Sequence, residues 1–586
     1  MSAAQPRPPP WSLLAGLAVI AIYALIAGTA ASELGSRTPG EDYYNRQADG
    51  FAHSRTSLDL AVPSWLAQLP NPYDAGANAP FQGQRYSPGR IHDLSYYHGR
   101  LYLYFSAIPA VVLFLPFHLL TGAYLSHQLA CFTFCSLGFL AAAALAGSIR
   151  RWCFPQAGPG MAALGILALG LVPVTPIVLE RADVWEVPIT ASYAFWMLAL
   201  LLVWEDLKRS RPSGMILAGA GGAIGLAIGC RPNSALGAAL LLVPLWHLGR
   251  RGAGPADPAR WPGAAALLLP VAAIAAGLLA YNHARFGDLL EFGQSYQIAG
   301  GEQQAVRRFN PAFLWYDFRL YFLEYPGWRR AFPFVRAFSP PPMPAGHNPG
   351  DNPVGALTLL PFLLCAAALP LGFSRNRDPS RAPLPAICGA VAIVFAAIAA
   401  PLCLFISACV RYQLEFLPAL CLLAVLGFYA LAGGPSRGGL LRRGLRAAAG
   451  TAAAASIAFT LLTTLSHRSE ADTVHGMIVA KSGRPEEAAA WYRRAVRLQP
   501  NAAMARVGLA EILAREGRFG EAAAEFARVE RTDPNSPTMH LHYGYVLYRL
   551  ARPAPAAEEC AWALKLQPDY PEAQAFAQML ARSRGP

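Results

Sequence analysis

Long apolar runs recur along most of this chain, separated by short charged connections. The first covers residues 11–31, and others lie at 127–149, 160–179, 187–204, 214–230, 234–249, 262–282, 354–373, 385–409, 416–433 and 446–466, about eleven in all. Most are close to the roughly 20 residues a helix needs to cross a ~30 Å hydrocarbon layer. The pattern predicts an all-α, polytopic transmembrane domain over residues 1–467. The first run follows Arg7 and is about twice as long as a typical signal-peptide core, so it is read as an uncleaved span. The stretch 101–122 is broken by Pro109 and Pro116 and is assigned to the interface or to a re-entrant segment.

Beyond residue 467 the pattern changes to Ala-, Glu- and Arg-rich amphipathic segments with an internal period. Pro500, Pro534 and Pro568 stand 34 residues apart, as do Gly483, Gly517 and Ala551, then Ala488, Ala522 and Ala556, then Tyr492, Phe526 and Cys560. Small residues at fixed offsets let paired helices pack closely, an aromatic fills the gap between units, and proline ends the second helix. That period and pattern belong to tetratricopeptide repeats. Residues 468–586 are therefore expected to form an α-solenoid, with units at 469–502, 503–536 and 537–570 and a closing helix at 571–586. Such an array presents a concave surface for a peptide or neighbouring protein, or it braces the membrane domain.

Charge adds orientation. Arg150 and Arg151, then Lys208, Arg209 and Arg211, then Arg250, Arg251 and Arg260, then Arg375, Arg377 and Arg381, then Arg437, Arg442, Arg443 and Arg446 occupy every second connection. Basic residues are retained on the cytoplasmic side during insertion. This places the N-terminus in the cytoplasm, with loops 32–126 and 283–353, segments 180–186 and 410–415, and the repeats outside. The net charge of +13 is thus a topology signal, and no nucleic-acid partner is expected. Cys131, Cys135, Cys365, Cys388, Cys403 and Cys421 sit inside apolar runs, and no disulfide framework or zinc spacing is visible.

Candidate chemistry gathers on the outer side. Loop 32–126 opens GEDYYNRQADG, with Glu41 and Asp42 close behind the first span, where a carboxylate can deprotonate an acceptor hydroxyl. The same pair also fits an ordinary solvated turn. Glu180, Arg181, Asp183 and Glu186 crowd into LERADVWEVP, and ionisable groups at span ends often line a site. Arg231 in GCRPNS and Arg411 in CVRYQLEF can clamp a phosphate through paired hydrogen bonds, or simply snorkel. His92, Asp93, His98 and Arg100 in IHDLSYYHGR follow no standard metal-ligand spacing, so no metal is assigned, and a divalent cation is not indicated.

Taken together, the first helix, GEDYYNRQADG, HGRLYLYFSAIPAVVLFLP, Glu186 in WEVP and RYQLEFLPAL resemble the GT-C superfamily of membrane glycosyltransferases. The protein O-mannosyltransferase and lipid A aminoarabinose transferase branch is the most similar. The resemblance implies a bacterial inner-membrane enzyme that moves a sugar from a polyprenyl-phosphate donor to a glycan, lipid or protein acceptor at the periplasmic face. It requires no organic cofactor, because the leaving group is already a phosphate. It places the catalytic acids on Asp42 or Glu41 and on Glu186, and the lipid-phosphate contact on Arg100, with Arg231 and Arg411 as further partners. This sequence has Glu-Asp directly before Tyr-Tyr where the family has Asp-Glu with a spacer, and Arg-Leu-Tyr where the branch has Lys-Pro-Pro. YNHARFGDLLEFG, after the seventh span, is similar to a segment of uncharacterised bacterial members. Two other readings stay open: an O-antigen ligase or polymerase relying on arginines and His347 of loop 283–353, and a non-catalytic membrane scaffold or transporter.

Overall fold

The computed structural model describes residues 10–30, 42–78, 80, 91–251, 260–299, 303, 307–325, 327–328, 330–335, 340–348, 350–351, 353–373, 383–432 and 439–583. The chain forms two compact units, one of residues 1–325 with 338–461 and the other of 326–337 with 462–586. Glu41 lies outside the described residues.

Every apolar run read from the sequence is helical over most of its length, and the fold is an all-α polytopic membrane domain followed by a tetratricopeptide-type solenoid. Seven described helices are long and apolar enough to cross a membrane: Pro10–Gly28, His127–Cys153, Glu186–Leu207, Trp261–Phe286, Pro383–Leu402, Val410–Ala430 and Gly439–Lys481. Other runs are shorter or broken because proline removes a ladder donor and crowds the preceding turn. Run 160–179 splits into Pro159–Leu171 and Thr175–Glu180 around Pro173, and run 354–373 splits at Pro361 and Pro370. Run 234–249 begins as a 3₁₀ segment, Pro232–Leu241, before Leu242–Arg251. The helical part of 101–122 is Ala110–Thr121, about 18 Å at ~1.5 Å per residue, too short for a ~30 Å crossing.

Burial ranks the helices of the first unit. Val410–Ala430 has 94% of its apolar window buried and Glu186–Leu207 has 78%, so these two form the centre of the bundle. Trp261–Phe286 has only 11% buried and shows Trp261, Leu268 and Leu269 at its surface, as a helix facing lipid tails would. A three-stranded antiparallel sheet is the one described sheet. Strands β1 (Leu94–Tyr97) and β2 (Arg100–Leu103) form a hairpin, and β1 also pairs with β3 (Gln297–Ile298). It joins loop 32–126 to loop 283–353.

In the second unit, helices Pro485–Leu498, Ala503–Arg515, Phe519–Thr532, Pro537–Arg549, Pro553–Leu566 and Pro571–Ser583 follow the expected repeat boundaries. Helix Gly439–Lys481 includes both the last apolar run and the first helix of the first repeat. Ala488, Ala522 and Ala556 are fully buried beside Tyr492, Phe526 and Cys560. A further 34-residue register appears that the sequence reading did not find. Arg506 donates to the Pro500 carbonyl at 2.6 Å, His540 Nε2 lies 2.8 Å from that of Pro534, and Gln574 donates to that of Pro568 at 2.9 Å. Arg506 also pairs with Glu525, and His540 with Glu559, each 19 residues on, so the second and third repeats each tie their first helix to their second.

Gly483 and Gly517 turn the chain at φ +78° and +79°, while Ala551 holds the equivalent turn at φ +56°. A Cβ in this left-handed region is disfavoured by roughly 1–2 kcal/mol. Ala551→Gly is expected to stabilise the repeats by about 1 kcal/mol, read as a higher Tm of the detergent-solubilised chain; an unchanged or lower Tm would show that the turn carries no strain.

Candidate active site

The connections that the sequence analysis places on one side of the membrane converge because charged groups at span ends find one another there. The segment opening the second long buried helix shows this most clearly. In RYQLEF, Arg411 pairs with Asp351 of loop 283–353. Tyr412 lies under two guanidinium groups, with Arg231 at 5.3 Å and Arg411 at 5.4 Å from its ring centre. Gln413, fully buried, donates to the carbonyls of Tyr321 at 3.2 Å and Val354 at 2.6 Å, and its oxygen accepts from the Val354 N–H at 2.7 Å. Glu415 accepts from Arg231 Nε at 3.1 Å and Nη2 at 2.9 Å. One helical turn therefore holds the late outer loop from both ends and fixes the start of the segment after Cys230.

Asp351 is a junction between connections, since Arg181 also reaches it at 3.0 Å. Its position depends on Gly350, because a Cβ there would stand 1.7 Å from the Ala408 carbonyl oxygen. Only glycine permits that approach. The neighbouring backbone is tied by Asn348 N–H to Ile406 at 2.8 Å and by Val410 N–H to Asp351 at 3.1 Å.

On the first loop, Asp42 begins helix Tyr43–Ala52, and Asn45 one turn on grips Leu125 through both backbone groups, at 2.7 Å and 3.2 Å. That grip brings the start of helix His127–Cys153 against Asp42. His127 Nδ1 lies 3.7 Å from Asp42 and 3.4 Å from Asp183, so one imidazole bridges carboxylates from two separate outer connections. His127 itself is buried under Tyr44 and Phe114, and its Nε2 has no hydrogen-bond partner. The two carboxylates are 39% and 41% exposed, open enough for an incoming hydroxyl. Burial pushes the Asp183 carboxyl up, but its bond to His127 and the Val184 N–H outweigh burial and hold it below the usual carboxylate range. A lowered native value means this contact stabilises at neutral pH and is lost as the pH falls through that value.

Glu186 is buried at the start of its helix and accepts the Asp183 N–H at 3.1 Å. It therefore shapes the turn that presents Asp183. The adjacent Trp185 donates to Asp93 at 2.7 Å, and Asp93 also accepts from Gln297 at 2.7 Å. Asp93 thus links the small sheet to this turn. His92 lies 3.6 Å from Asp93. Arg100 is exposed at the hairpin turn, and among the described residues no ion pair joins it to the cluster. Among the described residues no group of three or more His, Cys, Asp or Glu side chains could hold a metal ion.

The structure thus gathers Asp42, Asp183 and Glu186 on one side and Arg231 and Arg411 on the other, and leaves Arg100 apart. Sequence reasoning missed His127, Asp351 and Gln413. His127 stands two residues after Leu125 at the head of an apolar run, where a lone histidine gives no signal. Asp351 lies in a loop whose fold no pattern announces. In the same loop, His347 is buried against Asp317 at 2.9 Å, and Phe313 and Tyr316 pack on its ring. Burial raises the Asp317 carboxyl, partly offset by His347.

The Tetratricopeptide repeat family matches residues 473–537. No curated protein matches the chain. Among solved structures, the first tetratricopeptide domain of Spaghetti (RPAP3) bound to an HSP90 peptide is 16% identical, covering 21% of this chain and 96% of that one, with a TM-score of 0.20. YrrB, a tetratricopeptide protein with an unusual peptide-binding site, is 19% identical over 36% of this chain and 99% of its own, with a TM-score of 0.17. ArnT from Cupriavidus metallidurans, bound to undecaprenyl phosphate, is 15% identical, covering 95% of this chain and 80% of that one, with a TM-score of 0.40.

Removing one partner of the Arg231–Glu415 pair leaves a largely desolvated charge uncompensated, which costs about 3–5 kcal/mol. Glu415→Gln is expected to lower the Tm of the solubilised protein accordingly, and Glu415→Leu combined with Arg231→Leu is expected to recover most of it. A single variant as stable as the parent would refute the ion pair's role.

Proposed function

We propose that this chain is a membrane glycosyltransferase that moves a sugar from a polyprenyl-phosphate carrier to an acceptor at the outer face of a bacterial inner membrane. The observation that carries the reading is the convergence of Asp42 and His127, from the two ends of loop 32–126, with Asp183 of a second connection, beside Arg231 and Arg411 from two more. Asp42 accepts the acceptor's hydroxyl proton as its oxygen attacks the anomeric carbon, and the bond from that carbon to the carrier phosphate breaks. His127 orients Asp42, and Asp183 and Glu186 hold His127 and its turn in place. Arg411 and Arg181 share the single carboxylate of Asp351, and the positive charge left over there offsets the charge that develops on the departing phosphate, whereas Arg231 is paired with Glu415. No organic cofactor enters this scheme. The N-terminus is placed in the cytoplasm and the repeats in the periplasm, where their inner surface takes an acceptor protein or an assembly partner.

The ligase or polymerase alternative asks a histidine of loop 283–353 to meet substrate. His347 is buried and bonded to Asp317, which favours a structural role for it.

Asn45 Nδ2 donates to Asp42 at 3.3 Å, and Asp42→Asn keeps the size and an oxygen for that contact but removes the base. Transfer from a radiolabelled polyprenyl-phosphate sugar in membrane vesicles is expected to fall by at least about 10²-fold, with the protein still folded. Transfer at the parental rate would overturn the assignment of Asp42.

A further inference from the structure

In the second unit, one position of the 34-residue register is filled by three side chains that differ in how they hold their protons. Arg506 and Gln574 reach the carbonyls of Pro500 and Pro568 with N–H groups that they keep at any physiological pH. His540 does the same for Pro534 from an imidazole, the side-chain type whose charge changes between about pH 5 and 8. The pair it makes is enclosed, with the His540 side chain 2% exposed and that of Glu559 9% exposed. Trp562 stacks on the ring, 6.1 Å between centres. Both ring nitrogens meet acceptors: Nδ1 lies 2.6 Å from a Glu559 carboxylate oxygen and Nε2 lies 2.8 Å from the Pro534 carbonyl oxygen.

A backbone carbonyl has no proton to give, so Nε2 must carry the hydrogen of that contact. A neutral imidazole has only one N–H, which leaves the bare Nδ1 lone pair facing a carboxylate oxygen. The other tautomer moves the same repulsion to Pro534. Both contacts are attractive only with one more proton, on Nδ1 as imidazolium or on Glu559 as a neutral carboxyl. Burial raises the Glu559 carboxyl, the bond to His540 lowers it, and Glu530 of helix Phe519–Thr532 raises it again, for a net upward shift. Tyr543, on the helix of His540, lies in the field of both carboxylates and of Arg531 and Arg552. His542 meets Glu511 at 2.7 Å, a contact that a neutral tautomer can make.

We infer that His540 and Glu559 form a proton-operated clamp, in which one shared proton holds the two helices of the third repeat together and closes the turn at Pro534. In the unfolded chain, with ordinary values of about 6.5 for histidine and 4.3 for glutamate, that proton is gone above about pH 6.5. The folded pair keeps it, so the clamp is complete below that pH and is lost as the pH rises through the pair's own value. Arg506 and Glu525 make the same tie in the second repeat with a charge that is not lost. Helix Pro537–Arg549 also seats the closing helix, with Tyr545 4.0 Å from Phe576 between ring centres. Release of the proton therefore loosens the C-terminal end of the array while the second repeat stays closed.

The test is native-state hydrogen exchange on the full chain in lipid nanodiscs at about pH 6 and about pH 8.5, read as protection factors corrected for the intrinsic pH dependence of exchange. Amides of the third repeat should lose about tenfold or more of their protection between the two, and those of the second repeat should not. His540→Arg, which installs the residue of the second repeat, should remove this pH dependence. So should Glu559→Gln, whose amide can donate to a bare Nδ1. His542→Gln should leave it in place. If one of the first two variants does not fold, the other decides. Protection of the third repeat that is flat with pH in the parent, or that falls equally in the second repeat, overturns the clamp. So does a fall that persists in a folded His540→Arg or Glu559→Gln, or one that His542→Gln abolishes.

Discussion

A charge at the end of a membrane span has little water to solvate it, so it must be paired, and this constraint organises the outer half of the membrane domain. The first turns of helix Val410–Ala430 concentrate the effect. This is the most buried of the seven long helices, yet it opens with Arg411, Gln413 and Glu415. Each of these side chains is satisfied by a different part of the chain: Asp351, the backbone of Tyr321 and Val354, and Arg231. Hydrophobic packing alone would leave the outer loops free to slide over the bundle. These polar contacts give them a register, because a small shift leaves a buried donor or charge unmet.

The candidate site follows from the same rule applied to the other connections. Asn45 fixes the first loop on Leu125, which sets His127 between Asp42 and Asp183. Asp93 reaches across from the small sheet to Trp185, the residue before Glu186. The two carboxylates beside His127 are therefore the most exposed members of a network whose other members are buried or half-buried. Such an arrangement keeps a carboxylate oriented without enclosing it, as a base that must meet a large acceptor requires.

The helical membrane domain and the repeats were legible because both rest on periodic patterns. Apolar run length marks spans, and four registers at one interval mark the solenoid. The fifth register, Arg506, His540 and Gln574, escaped because three chemically different side chains perform one task, donating to a proline carbonyl. The acids Asp42, Asp183 and Glu186 were visible as charges beside apolar runs. The histidine that two of them share was not, since His127 lies 85 residues after Asp42 and 56 before Asp183 in the chain, and nothing local records such pairings. Arg100 was placed by resemblance, and the hairpin holds it at an exposed turn.

The convergence of separate outer connections on His127 is tested most directly by crosslinking Asp42→Cys to Asp183→Cys in a background lacking the native cysteines, with a short membrane-impermeant bis-reactive reagent added outside intact cells. Both residues contact one imidazole nitrogen, so efficient intramolecular crosslinking that also protects against later labelling is expected. If each single cysteine labels from outside but the pair never crosslinks, the two connections do not meet and the candidate site does not exist.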